Sequence, residues 1–139
     1  MNEILNSQRP SILFVCHGNT CRSFMAEALS RKKLGSKVQV MSAGLEPQPA
    51  ADAKTAIDTL STYFDIDASG HVPRTVWSLD LNAFDYVIAM VPSTAKELKG
   101  AVAEEKLLTW NIPDPWDEDL MQYKNCALKI NREISKLHF

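Results

Sequence analysis

The chain has 139 residues, 45% of them hydrophobic, with a formal net charge of −2. A chain of that length buries roughly two-thirds of its unfolded surface, enough for one domain without a metal or disulfide staple. The acidic balance argues against nucleic acid or an anionic membrane as partner, and no apolar run approaches the ~20 residues of a membrane span.

In chain order, MNEILNSQRP lacks a basic region followed by a long apolar run, so it does not read as a signal peptide. Residues 1–10 are expected to be a loose extension of a single domain spanning 1–139. Ser11–Val15, between Pro10 and a glycine loop, predicts a buried strand. Arg22 to about Leu34 predicts a helix, with Met25, Ala28, Leu29 and Lys32 at helical spacing and Gly35 as its stop. Lys37–Met41 reads as a second strand ending at Ser42-Ala43-Gly44, and Pro47 and Pro49 mark a loop. Ala53, Ala56, Ile57 and Leu60 make an amphipathic helix of Ala50–Tyr63, and Asp65–Arg74 has turn chemistry with little periodicity. Phe84–Met90 is the strongest strand pattern. Ser93–Lys99 follows as a short helix, then Lys106–Trp110 as a fourth strand. Beyond Pro113 and Pro115, Leu120–Leu137 reads as a closing helix with apolar Leu120, Ala127, Leu128, Ile130, Ile134 and Leu137. Strands alternating with helices imply parallel pairing and right-handed crossovers, hence an α/β sandwich with its ligand site at the carboxyl ends of the strands.

The segment at that site is Cys16-His17-Gly18-Asn19-Thr20-Cys21-Arg22-Ser23. A loop running from a strand end into a helix N-terminus aims successive backbone N–H groups inward and adds the positive end of the helix dipole, which makes an anion site. Such a site favours the thiolate of Cys16, the form that attacks. Arg22 holds two oxygens of a tetrahedral oxyanion through its planar fork. Gly18 allows close backbone approach or positive φ, and Ser23 is placed to donate a hydrogen bond to the thiolate. A thiolate beneath a bound phosphoryl group suggests in-line attack to a phosphocysteine, followed by hydrolysis. One carboxyl serves both steps as acid and then base, and Asp114, between two prolines, is the candidate. Trp116 beside it is placed to exclude water or stack on a flat substrate group. No cofactor is implied.

Chance is a poor account of this loop. Six positions at about 5% usage each give on the order of 10⁻⁸ per start position. A zinc site on Cys16, His17 and Cys21 is the rival, but His71 and His138 are isolated and Cys126 sits on the closing helix. Cys126 reads as a buried small hydrophobe, and Asp117-Glu118-Asp119 as the solvated first turn of a helix. Three cysteines without a paired framework point to a reducing compartment, the cytoplasm.

Cys-x-Gly-Asn-x-Cys-Arg-Ser near the N-terminus, with Asp114-Pro115 near the C-terminus, resembles the low-molecular-weight protein tyrosine phosphatase family over nearly the whole chain. The resemblance implies a four-stranded parallel sheet flanked by helices on both faces, with a phosphate-binding loop between the first strand and first helix. It implies metal-free hydrolysis of a phosphorylated protein or peptide, with phosphate or another oxyanion as product or inhibitor. Cys16 is then the nucleophile, Arg22 the clamp, Asp114 the general acid and Ser23 the residue that steadies the thiolate. Ser42 and His71 align with positions that brace the loop asparagine, here Asn19. Cys21 would trap Cys16 as a reversible disulfide.

Departures concern the substrate. Phe24 stands where the family has proline, Val91-Pro92 where an aspartate tends to follow the third strand, and Trp116 where tyrosine-directed members often have tyrosine. Phosphotyrosine is the expected substrate, but Thr20 is similar to the residue of the protein arginine phosphatase branch. Arsenate reductases are built on the same loop and need resolving cysteines, typically after the third strand; this chain has none between Met90 and Gly100. A phosphate-binding module without catalysis is disfavoured by the intact Cys16, Arg22, Ser23 and Asp114.

Overall fold

The structure, a computed structural model, describes residues 9–116 and 118–138, so all but the last two residues of the expected N-terminal extension lie outside the described residues. Four strands form one parallel sheet: β1 (Ser11–Cys16), β2 (Gln39–Gly44), β3 (Tyr86–Ala89) and β4 (Leu107–Thr109), in the order β2-β1-β3-β4. The helices are α1 (Arg22–Leu34), α2 (Lys54–Phe64), α3 (Pro92–Leu98) and α4 (Leu120–Ser135). Because the chain leaves β1 toward β2 and later returns past it to β3, the switch point falls at the carboxyl end of β1, where open α/β sheets bind ligands.

The two faces of β1 read directly as two cores. Ile12, Phe14 and Cys16 pack with Met25 of α1, Leu60 of α2 and Tyr123 and Ile130 of α4. Leu13 and Val15 pack the other way, with Leu98 of α3, Val76 and Leu81. Side-chain alternation with period two forces this division, and a strand buried on both faces has no polar residue to spare. Each such side chain, fully buried, contributes about 1.5–3 kcal/mol.

Element ends differ from the sequence expectations for local reasons. Gly35–Lys37 tightens into a 3-10 turn, so β2 begins at Gln39, whose N–H meets Pro10 O. Ala50–Ala53 is likewise a 3-10 turn, closed by Asp52 N–H to Pro49 O and Lys54 N–H to Ala51 O, and the regular helix starts only at Lys54. Pro92 is not outside α3 but at its start, where a missing N–H costs nothing. The acidic run is not a first turn: Asp119 caps α4 by accepting from Gln122 N–H at 3.0 Å, and Asp117 lies outside the described residues. α4 ends at Ser135, and Leu128, expected in the core, is 43% exposed. Lys32 also faces outward, its ammonium donating to Phe64 O. Val76–Ser78 and Leu81–Ala83, without periodicity in the sequence, form 3-10 turns that cover the second face of the sheet.

Candidate active site

The loop Cys16–Ser23 is held from outside. The carbonyls of Cys16, His17 and Gly18 accept from the N–H groups of Leu45 (3.0 Å), Glu46 (2.8 Å) and Gln48 (3.0 Å). With three successive carbonyls tied outward, the inward side of the loop is left to N–H groups, the arrangement of an anion nest. Positive φ falls on Asn19 (59°), not on Gly18. At Gly18 a Cβ would lie 2.8 Å from Gln48 Cγ, so the Gln48 side chain would have to shift. Gly44 is tighter still: a Cβ would meet His17 O at 2.7 Å and Asn19 N at 3.0 Å, both backbone. At the base, Cys16 Sγ lies 2.9 Å from Ser23 Oγ and accepts from Asn19 N–H at 3.3 Å.

Asn19 is fully buried, and its left-handed turn is locked by its own side chain. Nδ2 donates to Ser23 Oγ and Ser42 Oγ, both at 2.9 Å, and Oδ1 accepts from Arg74 N–H at 3.0 Å. The His71 ring meets Asn19 O at 2.7 Å; a carbonyl only accepts, so Nε2 carries the hydrogen. Ser42 and His71 both hydrogen bond to Asn19. Burial pushes the His71 pKa down, against the hydrogen bond to Asn19 O. Phe24, a departure in the sequence, stacks flat on His71 with centroids 3.9 Å apart. Beyond Ser42 the brace continues through residues that sequence reasoning missed: Ser42 donates to Glu27 Oε1, and Glu27 Oε2 pairs with Arg31 at 2.6 Å. Glu27 is one turn beyond Ser23 on α1, an acidic residue on a buried face, and that was the available signal.

The loop opens into a cleft of about 300 Å³ lined by Cys16, His17, Gly18, Thr20, Cys21, Arg22, Gln48, Asp52, Asp114 and Trp116. Arg22 is buried at the start of α1; one guanidinium nitrogen donates to Ile112 O at 3.1 Å and the other lies 3.5 Å from Asp114 Oδ2. Asp114 arrives from the segment after β4, which stays aligned with β3 through Trp110 N–H to Ala89 O and Ile112 N–H to Met90 O, both 2.8 Å. Its other oxygen accepts from Trp116 N–H at 2.9 Å, which fixes the carboxyl across the cleft from Cys16, while the Trp116 side chain is 52% exposed at the mouth. Gln48 and Asp52, unremarked in the sequence, complete the rim. A thiol, a guanidinium and a carboxyl around one space, over a floor of N–H groups, are what transfer of a phosphoryl or similar oxyanion group needs.

The His17 ring lies 3.7 Å from the Glu46 carboxylate, and among the described residues no group of three or more His, Cys, Asp or Glu is placed to hold a metal ion. All three cysteines are free thiols. Cys126 is buried as expected, and its sulfur lies 3.8 Å from Pro113 O. The neighbouring Cys126 side chain and burial push the Cys21 thiol well up.

A family model described as low molecular weight phosphotyrosine protein phosphatase matches residues 11–139. A low molecular weight protein tyrosine phosphatase from T. tengcongensis shares the fold with a TM-score of 0.81 and 32% identity, over 91% of this chain and 96% of that one. The arginine phosphatase YwlE from Geobacillus stearothermophilus gives 0.80 and 27%, over 91% and 88%. Among curated proteins, arsenate reductase 2 of Staphylococcus haemolyticus is 32% identical over 126 residues, covering 91% of this chain and 94% of its own.

Proposed function

The chain belongs to the low molecular weight phosphotyrosine protein phosphatase family, and from that premise we propose that it hydrolyses phosphotyrosine in proteins through a phosphocysteine. The observation that carries this reading is the convergence of Cys16, Arg22 and Asp114 on one cleft. The Cys16 thiolate attacks phosphorus in line; the P–S bond forms, the bond to the phenolic oxygen breaks, and Asp114 protonates that oxygen. Water then attacks with Asp114 as base, the P–S bond breaks, and phosphate leaves. Arg22 and the loop N–H groups hold the non-bridging oxygens, while Ser23 and Asn19 N–H hold the sulfur. Trp116 offers a flat surface to the substrate ring. No metal or cofactor enters the scheme.

Cys16→Ser tests it: turnover is lost while inorganic phosphate still binds. Retained turnover overturns the covalent route.

A second reading, phosphoarginine, is favoured by the rim. Asp52 and Asp114 both line the cleft with Thr20, and among the described residues the Asp52 carboxylate has no hydrogen-bond or ion-pair partner. Two carboxylates suit a guanidinium leaving group better than a neutral ring. Matched phosphotyrosine and phosphoarginine peptides, assayed side by side in reductant, separate the two. Arsenate reduction, the activity that names the curated relatives, is separated by measuring arsenite from arsenate in the same buffer. Phosphate release without arsenite supports the hydrolase.

A further inference from the structure

We propose that Phe24 is a positioning residue: its ring holds His71 against the Asn19 carbonyl, and that bond turns the Thr20 N–H into the oxyanion site. The inference rests on the loop Cys16–Ser23 binding an oxyanion, and it adds a residue to that reading.

A trans peptide unit is planar, so its C=O and its N–H point in opposite directions. Tying a carbonyl outward therefore aims the next residue's N–H inward. The loop shows this at the unit that joins Gly18 to Asn19. Gly18 O accepts from Gln48 N–H at 3.0 Å, and Asn19 N–H donates to Cys16 Sγ at 3.3 Å. The carbonyls of Cys16 and His17 are tied in the same way, by the backbone N–H groups of Leu45 and Glu46. The fourth carbonyl, Asn19 O, is tied differently, by the His71 ring at 2.7 Å. Its peptide partner is the Thr20 N–H, which is thereby aimed into the cleft that Thr20 lines.

A backbone donor is fixed by the fold around it, whereas a side-chain donor needs its ring fixed as well. His71 lies in the irregular segment between α2 and the Val76–Ser78 turn and is only half-buried. Its backbone N–H meets Ala68 O at 3.2 Å, but that bond leaves the imidazole free to turn about Cβ–Cγ. Phe24 removes this freedom. It sits one residue past Ser23 on α1, is buried, and stacks on the imidazole at 11° with centroids 3.9 Å apart. The Nε2–H bond lies in the imidazole plane, so holding that plane flat on Phe24 restricts the donor to directions that include Asn19 O. Proline, which the family pattern has at this position, offers no such face.

The test is the affinity for inorganic phosphate, read by calorimetry at a temperature where each variant is folded by circular dichroism. Wild type is compared with Phe24→Leu, His71→Ala and the double variant, and turnover of an aryl phosphate is followed in parallel. Leucine keeps an apolar side chain at the site but has no flat face. Losing an oxyanion donor outright costs about 10²–10³-fold in rate, and loosening one should weaken phosphate binding by about tenfold in each single variant. The double variant should bind no worse than His71→Ala, because both side chains act through one bond. Phe24→Tyr, which keeps the ring, should recover most of the affinity that leucine loses. A Phe24 that only fills the core would lower the urea midpoint and leave the affinity of the folded protein untouched. Unchanged phosphate affinity in Phe24→Leu overturns the proposal, and so do losses that add up in the double variant. Should Phe24→Leu fail to fold, Phe24→Met, whose unbranched chain adapts to irregular gaps, takes its place. Wild type that binds phosphate yet releases none from the aryl phosphate overturns the hydrolase reading, and the affinities still decide the role of Phe24. Wild type that binds no phosphate overturns the anion nest and this proposal with it.

Discussion

Replacing Asn19 by alanine removes a side chain that is fully buried and makes three hydrogen bonds, to Ser23, Ser42 and the Arg74 N–H. At a net worth of about 1 kcal/mol each, these amount to about 3 kcal/mol. Ser42 keeps Glu27 and Ser23 keeps Cys16 as partners, so the main orphan is the Arg74 N–H. Alanine must also adopt φ of 59°, which costs a further ~1 kcal/mol. The expected loss is therefore about 4 kcal/mol, or a fall of about 2 M in the urea midpoint at a slope of about 2 kcal/mol/M. Asn19→Gly loses the same hydrogen bonds but accepts the left-handed turn, so it should be less damaging than alanine by about 1 kcal/mol. Turnover should fall in both, because Asn19 N–H then drifts from Cys16 Sγ. Urea titration of the three proteins, followed by tryptophan fluorescence, reads the stabilities. A midpoint shift below about 0.5 M for Asn19→Ala, or a larger one for glycine than for alanine, refutes the reasoning.

Asp114→Asn should slow phosphate release by about 10²–10⁴-fold on poor leaving groups and much less on nitrophenyl phosphate, because only the former need the proton; an equal loss on both removes Asp114 as the acid. Gly44→Ala puts a methyl group 2.7 Å from His17 O, so about 1–3 kcal/mol of stability and most turnover should go together in urea titration and steady-state assay. Unchanged turnover would mean that the loop is not braced from Gly44. His71 gives a pH dependence whose sign is set by its lowered pKa. Below its ordinary value of 6.5 the unfolded chain takes up the proton first, so His71's contribution is complete above pH 6.5 and declines as pH falls below it. His71→Gln, which keeps a donor for Asn19 O, should flatten that part of the stability–pH curve; an unaltered slope assigns the dependence elsewhere.

Residues that act through local rules were legible in the sequence. The continuous apolar run Ile12–Val15, the Gly35 stop and the Cys16–Ser23 loop follow from nearest neighbours. Asp114 stood out because two prolines flank it. What stayed hidden depends on distant partners. Glu27 is an ordinary helix residue until β2 brings Ser42 beside it, and Phe24 looks like a lost proline until His71 arrives from a segment without periodicity. Cys126 shows only its burial in the pattern of α4; its neighbour Cys21 is more than a hundred positions away. The 3-10 turns at Ala50–Ala53 and Val76–Ser78 were missed because hydrophobic period separates helix from strand, not the tightness of one turn.

The outward carbonyls of Cys16, His17 and Gly18 have a thermodynamic consequence. Since residues 45–48 hold those three groups from the sheet side, the inward N–H groups are oriented by folding itself. Little reorganisation remains for the moment of binding, and oxyanion affinity and fold stability become linked quantities. A tetrahedral anion at a hundred times its dissociation constant should raise stability by about 2.7 kcal/mol. Reciprocally, whatever loosens the strand-to-loop clasp weakens anion binding by the same free energy as it is felt in the bound state. Under the proposed hydrolysis, product phosphate would meet the same oriented N–H groups as substrate, so accumulated product would stabilise the fold while it occupies the site.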